Sequence, residues 1–254
     1  MIGNKFRVDP SLANGLLSMF LDVGTEKLGI PLISDVNELR GNFILFATTP
    51  DMIKTADDNN IEVEYLKNAI LVALESNQKI VLAYDALSDP SVKKVLNDPE
   101  MLRSIRNIDF SKLPETVKKE LGSIPELPES VKKEFDVIIE IKEKYKDRFE
   151  IEPIGVYRND AENLKEGVIS KKDFEKYANG IIVKEALDLY KRYKDTTTVL
   201  FYTDVINVLH ILDKIENNIK EGSIKKEDTA KICVVVPSKF VPPKNQDPRD
   251  TKRE

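Results

Sequence analysis

The chain has 254 residues, of which 41% are hydrophobic and 33% charged, with a formal net charge of -5. That is enough length for one large core or two small ones, too much apolar content for a disordered chain, and the wrong sign for broad electrostatic attachment to nucleic acid. A single cysteine, Cys233, and a single histidine, His210, exclude a disulfide framework within the chain and a Cys/His zinc site.

Near the N-terminus, Pro10 to Leu28 carries Leu12, Leu16, Met19, Phe20, Val23 and Leu28 at mostly helical spacing and predicts an amphipathic helix, with Asp9 as its cap. Pro31 closes that region. Asn42 to Thr48 is a nearly continuous apolar run, the pattern of a strand buried on both faces. Thr49-Pro50-Asp51 opens a short helix, and Glu62 to Ser76 presents a wide apolar face built on Val63, Leu66, Ala69, Ile70, Ala73 and Leu74. A second buried-type strand follows at Lys79 to Asp85, and Ser88-Asp89-Pro90 begins another helical stretch.

The middle of the chain repeats itself: Leu113-Pro114-Glu115-Thr116-Val117-Lys118-Lys119-Glu120-Leu121 returns as Leu127-Pro128-Glu129-Ser130-Val131-Lys132-Lys133-Glu134-Phe135. Apolar residues run from Leu113 to Phe149 at about one in 3.5, a seam that Pro125 and Pro128 divide into a short helix at 114–122 and a long one from Pro128 to about Arg148. The long helix aligns Val131, Phe135, Ile138, Ile141 and Tyr145, a face that must cover either the chain's own sheet or a partner. Lys118, Lys119, Lys132 and Lys133, offset by Glu115, Glu120, Glu129 and Glu134, read as its solvated side.

Beyond the seam, Phe149 to Tyr157 contains Pro153 and predicts a strand near an edge. Ser170 to Asp195 is a long helix, Thr196 to Tyr202 a buried-type strand, Asp204 to Lys220 a helix and Lys231 to Val236 the last strand. Pro237, Pro242, Pro243 and Pro248 mark an extended tail. Strands alternating with helices require crossover connections, so the expected fold is α/β and Rossmann-like: a mainly parallel sheet of about five strands covered by helices. Its parts are an N-terminal helical segment (1–41), two halves of an α/β domain (42–86 and 149–236) flanking a helical insertion (87–148), and the tail (237–254).

Three strand ends share a form, Tyr84-Asp85, Tyr157-Arg158 and Tyr202-Thr203-Asp204, and Thr49 stands at a fourth. In a parallel sheet ligands bind beyond the strand carboxyl ends, so Thr49, Tyr84, Asp85, Tyr157, Arg158, Tyr202, Thr203 and Asp204 form the candidate rim. Helix capping accounts for much of the same pattern, because Thr, Asn and Asp oxygens accept the unpaired N–H groups of a first helical turn. Asp85, Asp160 and Asp204 would hold a divalent ion only if they converge. No G-x-G-x-x-G or Walker sequence is present, and no cofactor is indicated. His210 is expected to be exposed, with Asn207 and Lys214 as its polar neighbours, and Cys233 to be a small buried hydrophobe.

With no catalytic signature and one regular apolar seam, the chain reads as a non-catalytic binding or assembly protein that uses residues 113–149 against a protein partner or a second copy. The alternative is an enzyme or sensor for a phosphate-bearing or nucleotide-like molecule at the rim, with Mg²⁺ or Mn²⁺ as its ion. The absence of a membrane-length apolar run or signal sequence points to the cytoplasm. Abundant Lys and Glu without Trp resemble thermophile usage, against which the many Asn residues count, and the unfamiliar pattern favours a viral, plasmid or archaeal source.

Overall fold

A computed structural model describes residues 10–49, 56–75, 79–86, 90–108, 129–155, 170–193 and 197–237. In chain order the elements are α1 (Pro10–Leu28), β1 (Leu32–Ile33), a 3-10 turn (Val36–Glu38), β2 (Phe43–Thr48), α2 (Ala56–Glu75), β3 (Ile80–Asp85), α3 (Pro90–Leu96) and α4 (Pro99–Arg106). They continue with α5 (Glu129–Tyr145), a 3-10 turn (Lys146–Arg148), β4 (Phe149–Ile154), α6 (Lys171–Tyr193), β5 (Thr198–Asp204), α7 (Val205–Lys220), a 3-10 turn (Lys226–Lys231) and β6 (Ile232–Val235). The fold is α/β and Rossmann-like, with one sheet of six strands in the order β1-β6-β2-β5-β3-β4. Every neighbouring pair is parallel. The sixth strand, β1, is two residues long and pairs with β6, which is why no periodic signal announced it.

From β2 the chain moves outward through α2 to β3, and through α3, α4 and α5 to the edge strand β4. It then returns through α6 to β5 and through α7 to β6. Outward and returning crossovers cover opposite faces, because parallel connections keep one hand. Side chains alternate accordingly. Ile44, Phe46, Leu82, Tyr84, Leu200 and Tyr202 pack with α2 and α5, whereas Phe43, Leu45, Val199 and Phe201 pack with α1, α6 and α7.

The long helix begins at Glu129 as its proline predicts, and its seam covers this chain's own sheet. Phe135, Ile138 and Ile141 are buried there, and Val131 and Tyr145 are partly buried at its margin. Thus α5 is the crossover helix between β3 and β4, and nothing among the described residues sets 87–148 apart as a separate insertion. The first copy of the repeat, 113–121, the 114–122 helix and the tail beyond 237 lie outside the described residues, as do the Asp9 cap, Pro50 and Asp51. Asp136 receives two hydrogen bonds from Arg106, at 2.7 and 2.9 Å, and Lys67 pairs with Glu140 at 2.6 Å, tying α5 to α4 and α2.

The outer edge of β4 is closed by one side chain. Asn97 Nδ2 donates to the Ile151 carbonyl at 2.7 Å, and the Ile151 N–H donates to Asn97 Oδ1 at 2.9 Å, so the amide reproduces what a further strand would offer. Lys79 and Lys93 flank it and bind Glu150 at 2.9 and 3.0 Å. Burial would raise the Glu150 carboxyl, but the hydrogen bonds from these lysines outweigh it and hold it below its ordinary value.

α1 turns four of the six apolar residues expected on one face, Leu16, Met19, Phe20 and Val23, outward, and buries Leu28. It docks through Ser18, Leu21, Thr25 and Leu28, all buried, and Thr25 Oγ1 turns its polarity inward by donating to the Leu21 carbonyl at 2.8 Å. Leu16, Met19, Phe20 and Val23 face outward at 44, 49, 53 and 58% exposure. They are four of the six exposed large hydrophobic residues among those described.

A tight approach fixes the entry to β2. Gly41 has φ +81, and a Cβ there would lie 2.3 Å from the Lys231 carbonyl oxygen, next to the bond by which Asn42 N–H reaches that oxygen at 3.0 Å. Gly222 has φ +75 with open space around it. Gly41→Ala is therefore expected to lower unfolding free energy by more than about 2 kcal/mol, and Gly222→Ala by about 1 kcal/mol, in urea titrations.

Candidate functional site

The register of the central strands assembles the rim. Tyr84 on β3 stands opposite Tyr202 on β5, and Thr48 on β2 opposite Asp204 on β5. The two tyrosine rings stack with centroids 6.2 Å apart and planes 2° from parallel, while Phe46 packs on Tyr202 from the other side at 5.4 Å. Sheet pairing thus delivers two phenol hydroxyls to one spot on the α2/α5 face.

Glu134 of α5 meets them. It is buried, accepting from Tyr84 Oη at 2.5 Å and from Tyr202 Oη at 3.1 Å. The solvated role expected for this residue is overturned: Glu134 lies three residues beyond Val131 and four before Ile138, which puts it within the apolar face. Glu129 and Lys133 do face solvent. A buried carboxylate is tolerated only when hydrogen-bonded, and the phenols meet that need. Burial, then the neighbouring charges of Glu134 and Glu62, hold the Tyr202 hydroxyl well above its ordinary pKa, so it stays a donor.

A second buried carboxylate, Glu62 of α2, lies at the end of β2. Its Oε1 accepts from both the backbone N–H and the hydroxyl of Thr49, each at 2.6 Å. Thr49 is thereby spent on this bond. Asp204 caps α7 by accepting from the Asn207 N–H at 2.8 Å, which sets a carboxylate where an anion would otherwise sit. Asn207, the polar neighbour expected beside His210, is itself buried and donates to Thr203 Oγ1 at 3.0 Å. No described group donates to its Oδ1.

Of the eight rim residues, the structure gathers Tyr84 and Tyr202 around Glu134, and Thr203 and Asp204 at the start of α7. Thr49 belongs to Glu62. Tyr157, Arg158 and Asp160 lie outside the described residues, as does the side chain of Asp85. No group of three His, Cys, Asp or Glu among the described residues is placed to hold a metal ion. His210 is exposed, and Cys233 is buried, which pushes its thiol up to about 12. Glu62, Glu134 and Asn207 escaped the sequence reading. For Glu134 the signal was present, a charge in register with the seam.

Beside the Tyr84 end of this cluster opens a cavity of ≈ 440 Å³ between α3, α4 and α5, lined by Val92, Leu96, Leu102, Ile105, Val131 and Phe135 among others. Its size suits a small ligand and its lining is apolar. A polar cavity of ≈ 470 Å³ over β4 is lined by Lys79, Lys93, Lys94 and Lys142, with Glu150 among them. Lys142 donates there to Asn97 Oδ1 at 3.1 Å, and its burial lowers its pKa.

No helix among the described residues is long and apolar enough to cross a membrane. No family model, curated protein or solved structure matches the chain.

Replacing Glu134 by leucine leaves two phenols buried without their acceptor, at about 1–3 kcal/mol each, and should lower the urea midpoint accordingly. For Tyr202 the folded pKa is raised, so its contribution is intact below the unfolded value near 10 and lost as pH rises toward the folded value. Wild type should lose stability above about pH 10 more steeply than Tyr202→Phe, by unfolding titrations from pH 8 to about 12. Equal slopes would remove the phenol from the account.

Proposed function

We propose that this is a non-catalytic binding or assembly protein whose contact face is the outward stripe of α1. The observation that carries the proposal is the exposure of Leu16, Met19, Phe20 and Val23 at intervals of three, one and three. One helical face therefore holds four large apolar side chains, while the same helix is held to the domain by Leu21 and Leu28 together with Ser18 and Thr25. A contiguous apolar patch on a charged surface is characteristic of an interaction site. The seam of α5 does not offer such a face, since Phe135, Ile138 and Ile141 are occupied by the sheet. The site of contact therefore moves from the central helices to the N-terminal one, and the class of function stays.

If the stripe is surplus to the fold, Phe20→Asp should leave the thermal midpoint within about 2 °C of wild type, whereas Leu21→Asp, one residue on, should unfold the domain. A loss at Phe20 as large as that at Leu21 would make the stripe part of the core and end this proposal.

A second reading has its own support. The cavity beside Tyr84 lies at the carboxyl end of β3, where parallel sheets bind ligands, which favours a small-molecule binder or sensor. Its lining argues for an apolar or aromatic molecule in place of a phosphate-bearing one. Small aromatic and aliphatic probes should raise the thermal midpoint of wild type and fail to do so in Val92→Trp, which fills the cavity. Identical responses in the two proteins would dismiss the cavity.

A further inference from the structure

We infer that the occupant of the α1 face is a second copy of this chain, bound with the two α1 helices antiparallel across a two-fold axis; this rests on the contact-face reading above. The stripe positions 16, 19, 20 and 23 are symmetric about a point between Met19 and Phe20. Two such helices laid antiparallel set Leu16 against the partner's Val23 and Met19 against the partner's Phe20, so each large side chain meets another. An isologous contact needs only one self-complementary surface, and this stripe supplies it.

Charge selects the antiparallel direction. The first turn of α1 has no acidic residue, while the exposed Asp22 and Glu26 stand in its second half. The N-terminal end of a helix carries partial positive charge. An antiparallel crossing places that end beside the acidic half of the partner helix and sets the two helix dipoles in opposition, whereas a parallel crossing brings like ends together. Lys27 does not interfere, because it is drawn to Glu216 of α7 at 2.8 Å. Ser18, Thr25 and Leu21 stay buried against the domain, so docking the outer face requires no rearrangement of α1.

Four half-exposed side chains fall short of the ~800 Å² per partner of a standard interface, so the association is expected to be weak and dependent on concentration. Cysteine pairing reads the geometry directly, since the native Cys233 is fully buried and its thiol is held protonated. Leu16→Cys and Val23→Cys proteins, mixed and oxidised, should form the mixed disulfide in excess over either self-pair. Positions 16 and 23 are about 10 Å apart along the axis, beyond the Cα separation a disulfide spans, so each variant alone should cross-link poorly.

Sedimentation velocity over roughly a hundredfold dilution should show wild type moving from dimer to monomer, and Phe20→Asp remaining monomeric throughout. Dominant self-pairs at 16 and at 23 would overturn the antiparallel two-fold while leaving the contact face in place. A wild type that is monomeric at every concentration would overturn the second copy as occupant, and the stability comparison of Phe20 with Leu21 then decides the face separately.

Discussion

Parallel pairing leaves this sheet no free choice of surroundings. Strands that run the same way must be joined by crossovers, and the crossovers must cover both faces with apolar helices. From β2 to β4 the chain lays α2 and α5 on one face, and from β4 back to β6 it lays α6 and α7 on the other. The central strands β2, β5 and β3 are buried from both sides. Their register also decides what reaches the carboxyl rim, because Tyr84 and Tyr202 become neighbours only through the β3–β5 pairing.

That rim is held from the helix side by carboxylates. Glu134 joins α5 to two strands at once, and Glu62 joins α2 to the residue that follows β2. Apolar packing alone would let a helix slide along the sheet, since the hydrophobic effect has no direction. A carboxylate that must keep its hydroxyl donors or face water-free burial has one acceptable position. The same bonds engage Thr49, Tyr84 and Tyr202, and the apolar opening lies beside them, under α3 and α4.

Much of this was legible in the residues, and what was not has identifiable causes. Continuous apolar runs announced β2, β3, β5 and β6, and Pro153 marked β4 as an edge. β1 pairs through Leu32 and Ile33 alone, too short for a period to form. Capping residues and ligand residues share a chemistry, so Asp204 could be placed at a helix start but not assigned a role until its bond to Asn207 N–H was seen. Glu134 was hidden by its company: flanked by lysines and repeated from Glu120, it read as surface, although its helical phase belonged to the seam. Composition describes the neighbours along the chain, whereas burial depends on phase.

Phase is also what makes α1 informative. Its spacing correctly predicted a helix over Pro10–Leu28, and the natural assumption is that the richest apolar face turns inward. Here it turns outward, and the inward positions alternate Leu21 and Leu28 with Ser18 and Thr25. The hydroxyl of Thr25 satisfies itself on the carbonyls of Leu21 and Asp22, so these small residues sit close to the domain without an unpaired group. A helix that docks through Leu21 and Leu28 with Ser18 and Thr25, yet leaves Leu16, Met19, Phe20 and Val23 half-exposed, carries a second apolar face beyond the one that holds it to the described part of the domain.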